Sequence, residues 1–394
     1  MAEPFKILTL NQISKLGLER FPADCYVVGG KLADPDAILV RSHDMHSMKI
    51  PAQVKAIGRA GAGVNNIPVE SMSKRGVPVF NAPGANANAV KELVIAGLLI
   101  AARNLGPALK FVDGLQGDDK TIDRLVEEGK KAFAGIELPR HTLGVIGLGK
   151  IGSLVADAAI KLGMDVLGYD PEITVEAAWS LPSRVRKAHS IEEVLRGSEF
   201  VTVHVPLLDA TRGLINADRI RLMKNGAILL NFSRDGVTDN DAVLEALAAK
   251  RLRSYVCDFP AQKLIGHPLV VALPHLGAST REAEDNCAVM VVDQVRDFLE
   301  NGNIVNAVNF PSVVMGRESP YRLGVANSNV PKMVGQISAA VGNARLNIHN
   351  MLNKSKGGMA YTLVDVDSPV SAEVIAEIAG IEGVLAVRYL PLEQ

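Results

Sequence analysis

The sequence is poor in cysteine and aromatic residues, and it carries no excess of one charge. Cys25, Cys257 and Cys287 are far apart and form no C-x-x-C pair, which excludes a disulfide framework and a zinc-binding pattern. We therefore expect reduced thiols in a cytoplasmic protein, and no metal site. A formal net charge of -1 gives nothing that would draw the whole chain to nucleic acid or to a membrane.

Long hydrophobic runs are also missing. The most apolar helix-like stretch, LVIAGLLIAA at 93–102, is far shorter than the roughly 20 residues that cross a bilayer. The N-terminal residues show no signal-peptide pattern either. What the chain does contain is many aliphatic residues and 35 glycines, a composition typical of α/β layers. At 394 residues it has room for two or three domains.

The pattern along the chain predicts an α/β fold. Short apolar runs such as FKILTL, AILVR and VKAIG alternate with polar or helical segments, and a second such series begins near His141. Alternation of this kind predicts parallel, doubly wound sheets, here one flavodoxin-like domain and one Rossmann domain. The end of the chain has the order β-α-β-β-α-β, which predicts a ferredoxin-like α+β domain. The predicted domains are 1–93 completed by 281–310, then 94–280, a linker at 311–321, and 322–394.

A glycine-rich loop predicts a dinucleotide site. Gly147, Gly149 and Gly152 form G-x-G-x-x-G between an apolar run and a helical pattern, and the next predicted strand ends at Asp170. In such loops the glycines allow a tight turn and close approach to a pyrophosphate, which lies at a helix N-terminus. A carboxylate at the position of Asp170 binds ribose hydroxyls and favours NAD over NADP. The alternative, a glycine-rich turn without a ligand, explains less of this context.

Chemically capable residues follow several predicted strands. They are Gly147, Asp170, Val205–Pro206, Ser233–Arg234, Asp258 and His275. Ligands of doubly wound sheets bind beyond the carboxyl ends of the strands, so these residues are expected to share one edge. An arginine can hold a carboxylate and polarise a neighbouring oxygen, and a histidine can accept a hydroxyl proton. Taken singly, each residue could equally be structural; together they predict hydride transfer from a 2-hydroxy acid.

The chain resembles the D-isomer-specific 2-hydroxyacid dehydrogenases, above all the NAD-dependent D-3-phosphoglycerate dehydrogenases among them. The stretches that carry the resemblance are LVRS, GRAGAGVNNI, NAPGANANAVKEL, TLGVIGLGKIG, GYDP, VHVPLLDATRGLI, LLNFSRDGVTD and LPHLGAST. The resemblance implies oxidation of 3-phosphoglycerate with NAD, the first step of serine biosynthesis, by a homodimer or homotetramer. Two alternatives stay open: a reductase of hydroxypyruvate, glyoxylate or 2-oxoglutarate, and an NAD-sensing scaffold.

The resemblance also implies roles for individual residues. Arg234 would bind and polarise the substrate, His275 would be the acid/base, and Arg41 and Arg59 would bind the substrate phosphate. Gly61 and Asn86 are weaker substrate candidates. The NAD site would further include Lys150, Ile151, Val205, Pro206, Phe232, Ser233, Asp258, Gly277 and Ala278. From the residues alone, arginines that follow strands can pair with phosphate, although solvated surface arginines would look the same.

One departure from the family pattern affects the histidine. The family has D-V-F-x-x-E-P where this chain has Asp258-Phe259-Pro260-Ala261-Gln262-Lys263, so a lysine replaces the glutamate that pairs with the histidine. A carboxylate beside an imidazole orients the ring and stabilises its protonated form. Three possibilities follow: Asp258 serves His275, a carboxylate from elsewhere such as Glu282 serves it, or His275 works unassisted. We hypothesise catalysis without the usual glutamate.

The last block of the chain resembles ACT regulatory domains, which in serine-pathway enzymes often bind an amino acid between paired domains. By that resemblance Asn327, Asn329 and Asn347 would bind an L-serine effector, although all three could be ordinary turn residues. The usual Pro-Gly at the start of the first helix is Pro331-Lys332 here, which weakens the expectation.

Overall fold

The computed structural model describes residues 3–392, apart from the side chain of Glu176. The chain forms two compact units. The first contains the chain up to Asn86 and again from Arg281 onward, and the second contains Ala87–Thr280.

The strands agree with the apolar runs of the sequence, because most of these runs supply the buried side chains of a strand. They are β1 (Phe5–Leu10), β2 (Tyr26–Gly29), β3 (Ala37–Val40), β4 (Ala56–Arg59), β5 (Val79–Phe80), β6 (Thr142–Ile146), β7 (Asp165–Tyr169), β8 (Val185–Lys187), β9 (Phe200–Val203), β10 (Ala227–Asn231), β11 (Leu252–Cys257), β12 (Val270–Ala272), β13 (Tyr321–Ser328), β14 (Ile348–Lys356), β15 (Met359–Val366) and β16 (Val384–Pro391).

The helices lie mostly between these strands. They are α1 (Lys15–Leu18), α2 (Val69–Lys74), α3 (Ala87–Ala102), α4 (Leu105–Asp113), α5 (Asp119–Gly129), α6 (Lys150–Lys161), α7 (Val175–Trp179), α8 (Ile191–Gly197), α9 (Ala217–Leu222), α10 (Asn240–Ala248), α11 (Arg281–Asn301), α12 (Met333–Asn343) and α13 (Ala372–Ala379). Short 3-10 turns occur at Lys130–Phe133, Asp235–Val237 and Gln262–Leu264.

Each unit contains one parallel sheet, and both predicted sheet types are confirmed. The first unit has five strands in the order β2-β1-β3-β4-β5, which is the flavodoxin-like order. The second has seven strands in the order β12-β11-β10-β9-β6-β7-β8. The order of the second sheet reverses between β6 and β9, as in a Rossmann fold, and ligands bind beside such a reversal.

The end of the chain forms the predicted ferredoxin-like domain. Its strands make an antiparallel sheet in the order β14-β15-β13-β16, with α12 and α13 in the β-α-β-β-α-β positions. The helix α12 begins two residues after Pro331, because Lys332 has a left-handed backbone with φ of 68°.

The hydrophobic core of the first unit joins its parallel sheet to the C-terminal sheet. Phe80 and Phe298 lie in one buried cluster with Tyr361 and Leu363 of β15. The segment 311–321, predicted as a linker, contributes the buried side chains of Val313 and Met315 to the same cluster. Alternate side chains of this segment are therefore packed into the core, whereas others, such as Val314, are exposed.

A bilayer span has requirements of helix length and hydropathy. Within residues 3–392 no single helix meets them; α3 and α4 do so only as a pair, and they meet at a bend of 69°. Much of α3 is buried in the core of the second unit.

Candidate active site

The glycine loop connects β6 to α6 at the reversal of strand order. Gly147 has φ of 92°, and a Cβ on it would lie 2.6 Å from the carbonyl oxygen of His204. A Cβ on Gly152 would lie 1.9 Å from the carbonyl oxygen of Gly147. The fold itself therefore requires glycine at these two positions.

Gly149 differs from the other two glycines because the fold does not require it. A Cβ placed there would meet no protein atom within 4 Å. Gly149 is also the N-cap of α6 and has no side chain to cap the first N–H groups, which leaves them for a ligand. An open space beside uncapped N–H groups fits a pyrophosphate.

Asp170 follows β7 and faces the same loop. Its Oδ2 accepts a hydrogen bond from the Leu148 N–H at 2.8 Å, and its Oδ1 accepts one from the Glu172 N–H at 3.0 Å. Each carboxylate oxygen can accept a further bond, so Asp170 can hold ribose hydroxyls while it fixes the glycine loop.

The strand ends of the second sheet are joined by backbone hydrogen bonds. Four N–H to O=C bonds cross this edge, from Gly147 to Tyr169, His204 to Ile146, Asp258 to Asn231 and Leu273 to Cys257, at 2.8–3.1 Å. The residues that follow β6, β7, β9, β10, β11 and β12 therefore emerge along one continuous edge, as the sequence predicted.

Asn231 shapes the turn that carries Arg234. Its buried amide donates to the carbonyl oxygen of Arg234 at 2.9 Å and to Thr238 Oγ1 at 3.1 Å. Its Oδ1 accepts from both the N–H and the hydroxyl of Ser233. The Arg234 side chain is exposed beyond this rigid turn and makes one bond within the unit, from Nη1 to the carbonyl oxygen of Ser233 at 2.6 Å.

Asp258 holds the backbone beside His275 and not the imidazole. Its oxygens accept hydrogen bonds from the N–H groups of Leu276 at 2.7 Å and Gly277 at 2.8 Å. Burial raises the pKa of this carboxyl, and the two N–H donors and the nearby His275 oppose that rise. His275 itself has φ of 57°, a left-handed conformation that is uncommon outside glycine. The two bonds to Asp258 stabilise this conformation.

The lysine that replaces the family glutamate does not face His275. Lys263 Nζ lies 2.5 Å from Asp241 Oδ1 on α10, and both side chains are exposed. The exposed His275 ring instead contacts Phe259, with ring centroids 4.7 Å apart and planes at 49°. Within the described residues of the second unit, no Asp or Glu forms an ion pair with His275. Glu282 lies in the first turn of α11, in the first unit, and is exposed.

The remaining predicted cofactor residues lie along the same edge. Lys150 and Ile151 begin α6, Val205 and Pro206 follow β9, and Ala278 follows the His275 turn. The side chains of Phe232 and Ser233 are buried, so Phe232 can offer a ligand little more than its backbone. His204, at the end of β9, bonds Thr202 Oγ1 at 2.9 Å, and burial lowers its pKa to about 3. This imidazole is therefore neutral at physiological pH.

The two predicted phosphate-binding arginines are neighbours in the first unit. Arg41 directly follows β3, Arg59 ends β4, and Arg59 Nε donates to the carbonyl oxygen of Arg41 at 3.1 Å. Arg41 Nη2 lies 2.6 Å from Glu284 Oε1 on α11, with both side chains partly exposed. A Cβ on Gly61 would lie 2.2 Å from Arg59 Nη1, so the guanidinium covers this glycine. Asn86, the last residue of this unit's N-terminal part, is partly exposed.

The predicted effector residues separate into two groups. Asn327 and Asn329 line a cavity of about 140 Å³ with Lys332 and Asn353. Asn327 is fully buried, and its Oδ1 has no hydrogen-bond partner among the described residues. Asn347 is exposed and does not line this cavity.

Three residues of these sites were missed from the sequence. Asn231 is a polar residue that ends an apolar strand, and that position could have identified it. Phe259 could have been noticed as an aromatic residue where the family has valine. For Glu284, nothing in the sequence indicates a partner as distant as Arg41.

The chain is similar to one family model and to many curated sequences. Residues 98–277 match the model of the D-isomer specific 2-hydroxyacid dehydrogenase, NAD binding domain. A D-3-phosphoglycerate dehydrogenase of Methanocaldococcus jannaschii is 37% identical over 305 residues, 74% of this chain and 56% of that protein. One of Haemophilus influenzae is 32% identical over 347 residues, 85% of this chain and 81% of that protein. Against the first curated relatives, the chain spans little more than half of their length.

A solved structure supports the same relationship. The NAD+-bound 3-phosphoglycerate dehydrogenase of Entamoeba histolytica matches with a TM-score of 0.60 and 25% identity, over 78% of this chain and 99% of that one. The chain belongs to the D-isomer specific 2-hydroxyacid dehydrogenase family, and its second unit carries that family's NAD-binding domain.

Proposed function

We propose that this protein oxidises 3-phosphoglycerate to 3-phosphohydroxypyruvate with NAD, the first step of serine biosynthesis. The observation that carries the proposal is the edge of the Rossmann sheet, where the dinucleotide loop, Arg234 and His275 emerge from laterally bonded strand ends. Relatives that bear the name D-3-phosphoglycerate dehydrogenase support the choice of substrate.

The chemistry assigns one task to each side chain. Arg234, with spare donors on an exposed guanidinium, would hold the substrate carboxylate and polarise the C2 oxygen. His275 would take the proton of the C2 hydroxyl as the C–H bond breaks. NAD supplies the acceptor for the hydride. The products are the 2-oxo acid, NADH and one proton, which His275 releases to solvent.

A substrate panel tests the proposal. NADH formation is measured with 2-hydroxy acids that do and do not carry a phosphate, and the reverse reaction is measured with hydroxypyruvate, glyoxylate and 2-oxoglutarate. We expect the highest kcat/KM with 3-phosphoglycerate. Preference for an unphosphorylated acid would replace the proposal with a 2-oxo acid reductase, and no turnover despite NADH binding would favour a scaffold.

We further propose that Arg41 and Arg59 bind the substrate phosphate. Their neighbouring positions after β3 and β4 give two guanidinium groups on one strand edge of the first unit. Arg41→Ala should raise KM for 3-phosphoglycerate about 10-fold or more and leave KM for an unphosphorylated 2-hydroxy acid unchanged. An equal rise for both substrates would contradict this assignment.

The C-terminal cavity is proposed to bind L-serine as an inhibitor. Asn327 Oδ1, which is buried and has no partner among residues 3–392, is suited to an amino acid's ammonium group, and the amide of Asn329, which has one N–H beyond its bond to the Gly357 carbonyl oxygen, to the carboxylate. Lys332 has a left-handed backbone where related domains have glycine, at a cost of about 1 kcal/mol. Calorimetric titration with L-serine should give heat that Asn329→Ala abolishes. An absence of heat together with unchanged rates would remove the proposal.

A homodimer or homotetramer in the cytoplasm completes the proposal. Leu105, Leu109 and Val112 form an exposed apolar stripe along α4, a surface suited to a second copy of the chain. Asn347, outside the cavity of its own chain, could complete the cavity of a paired domain. All three cysteines are free thiols, which agrees with a reducing compartment. Light scattering of the wild type and of Leu109→Asp tests the assembly; a monomeric wild type would contradict it.

A further inference from the structure

His275 is held by two contacts, and neither is a carboxylate on its ring. The first contact acts on the backbone. Asp258 accepts the N–H groups of Leu276 and Gly277, the two residues after His275, and so stabilises the left-handed conformation of the histidine. This backbone conformation sets the direction of the Cα–Cβ bond of His275. Asp258 therefore fixes the direction in which the His275 side chain leaves the backbone.

The second contact acts on the ring. Phe259 directly follows Asp258, is partly buried, and has its ring centroid 4.7 Å from that of His275 with the planes tilted at 49°. A tilted aromatic pair at this distance is a favoured arrangement and limits rotation about the side-chain bonds. The contact also suits both protonation states, because a protonated imidazole is attracted to the face of a phenyl ring.

Two residues of this turn differ together from the family pattern. Where the family pattern has valine and glutamate, this chain has Phe259 and Lys263. Lys263 is turned to Asp241 at 2.5 Å, so it neither replaces the glutamate nor places a second cation on the histidine. Asp258 interacts electrostatically with His275, but its two oxygens are already engaged by backbone N–H groups.

We propose that Phe259 is the positioning residue of His275, and that its ring takes over the orienting task of the missing glutamate. This inference rests on the proposed function, since it assigns how the acid/base of that reaction is held. In the proposed arrangement Phe259 confines the imidazole to one plane, and Asp258 fixes its point of attachment. Both imidazole nitrogens then stay available for the substrate hydroxyl and for solvent.

Two single variants and one double variant test the proposal. Phe259→Leu keeps an apolar side chain and removes the ring, and Phe259→Tyr keeps the ring. We expect Phe259→Leu to lower kcat roughly 10- to 100-fold, to shift the pH profile of kcat, and to leave KM and the Kd of NADH within about twofold. Phe259→Tyr should restore kcat and the wild-type pH profile. Phe259→Leu with Lys263→Glu, which returns a carboxylate to the family position, should recover part of the lost kcat.

A spectroscopic readout separates this inference from the proposed function. The ring current of Phe259 should displace the C–H resonances of His275, which the variant His275→Gln identifies, and Phe259→Leu should remove that displacement while Phe259→Tyr keeps it. This measurement does not require turnover. If the wild type is inactive but the displacement is present, the proposed function fails and the positioning contact stands.

Two results would overturn the inference. One is a Phe259→Leu variant with unchanged kcat and an unchanged pH profile. The other is a loss of kcat and a shifted pH profile in Glu282→Gln with no such change in Phe259→Leu, which would assign the orienting task to that carboxylate instead.

Discussion

Arginine and histidine each occur in two contrasting settings in this protein. Arg322 on β13 is fully buried, and its five N–H donors are all used, by the Asp365 carboxylate and the carbonyl oxygens of Asn301, Met315 and Gly316. Arg234 is exposed and uses one donor, to its neighbour's carbonyl oxygen. The difference shows that an arginine's role depends on the donors it has left, and residue type alone does not reveal it.

The two ends of α11 repeat this contrast within a single helix. At its carboxyl end, Arg388 donates to the carbonyl oxygens of Phe298 and Leu299, Arg317 to that of Glu300, and Arg322 to that of Asn301. The Phe298 carbonyl also accepts the Gly302 N–H, and the three arginines together supply donors to the last four carbonyls of the helix, which ordinarily lack intrahelical partners. At the amino end, Glu284 forms a partly exposed ion pair with Arg41, and we propose that the substrate phosphate displaces this carboxylate. The carboxyl end is therefore held by partly buried hydrogen bonds, whereas the ion pair at the amino end is proposed to be exchangeable.

The two histidines differ in the same way. His204 is neutral because burial lowers its pKa to about 3, and its ring is bonded to Thr202. His275 is exposed on a left-handed turn against Phe259. Only the second arrangement leaves ring nitrogens for proton exchange with a substrate.

The largest expected effect would come from opening the buried arginine network. Arg322→Ala leaves the Asp365 carboxylate buried without its partner, which should cost about 3–5 kcal/mol of unfolding free energy and lower Tm by about 10 °C. Arg124→Ala, which removes an exposed i,i+4 pair with Glu128, is the control and should change Tm by no more than a degree or two. Equal Tm values for the two variants would contradict the contrast between buried and exposed arginines.

The second effect should appear in activity and not in stability. Arg234→Ala removes an exposed group proposed to hold the substrate carboxylate, so kcat/KM should fall about 100- to 1,000-fold while Tm stays near that of the wild type. Arg234→Lys should recover little, because an ammonium lacks the planar pair of donors. Arg196→Ala, on the exposed surface of α8, serves as control. A large fall in Tm for Arg234→Ala would assign this arginine a structural role.

The third prediction concerns the loss of folding stability at acidic pH, to which the buried imidazole of His204 contributes. Because the pKa of His204 is about 3 when folded and near 6.5 when unfolded, the unfolded state binds more protons between those values. Stability is therefore full above pH 6.5 and declines as the pH falls, by about 2 kcal/mol between pH 7 and pH 5. In His204→Gln, the unfolding free energy should fall by about 2 kcal/mol less between pH 7 and pH 5 than in the wild type. The midpoints of urea unfolding at the two pH values measure this difference. His189→Gln, at an exposed site, should keep the wild-type decline.

The smallest effect is expected at the exchangeable ion pair. Glu284→Gln frees Arg41 from its carboxylate, so KM for 3-phosphoglycerate should fall by up to about fivefold, with KM for an unphosphorylated 2-hydroxy acid unchanged. Glu70→Gln, which removes an exposed carboxylate paired with Lys74, is the control. A rise in KM for the phosphorylated substrate would mean that Glu284 orients Arg41 for binding and does not compete with the substrate.

The fold could be predicted because its signals are local. Runs such as FKILTL and AILLN bury alternate or successive side chains, so each run predicts a strand irrespective of distant residues. The glycine loop is similar, since the positive φ of Gly147 and the close approach at Gly152 are requirements of one turn. The partner of His275 was not predictable in this way. Asp258, one of the possibilities for that partner, binds the backbone N–H groups of the turn instead, and the ring of Phe259 contacts the imidazole.

The sequence by itself determined the three sheets, the dinucleotide loop and the strand ends at which Arg234 and His275 appear, because periodicity and turn chemistry act over a few residues. Only the tertiary structure decided which groups meet there. Lys263 forms an ion pair with Asp241 on α10, and the ring of Phe259 contacts the ring of His275. Glu284 forms an ion pair with Arg41, from which it is distant in the sequence. Such contacts depend on packing between distant segments, so no local pattern encodes them.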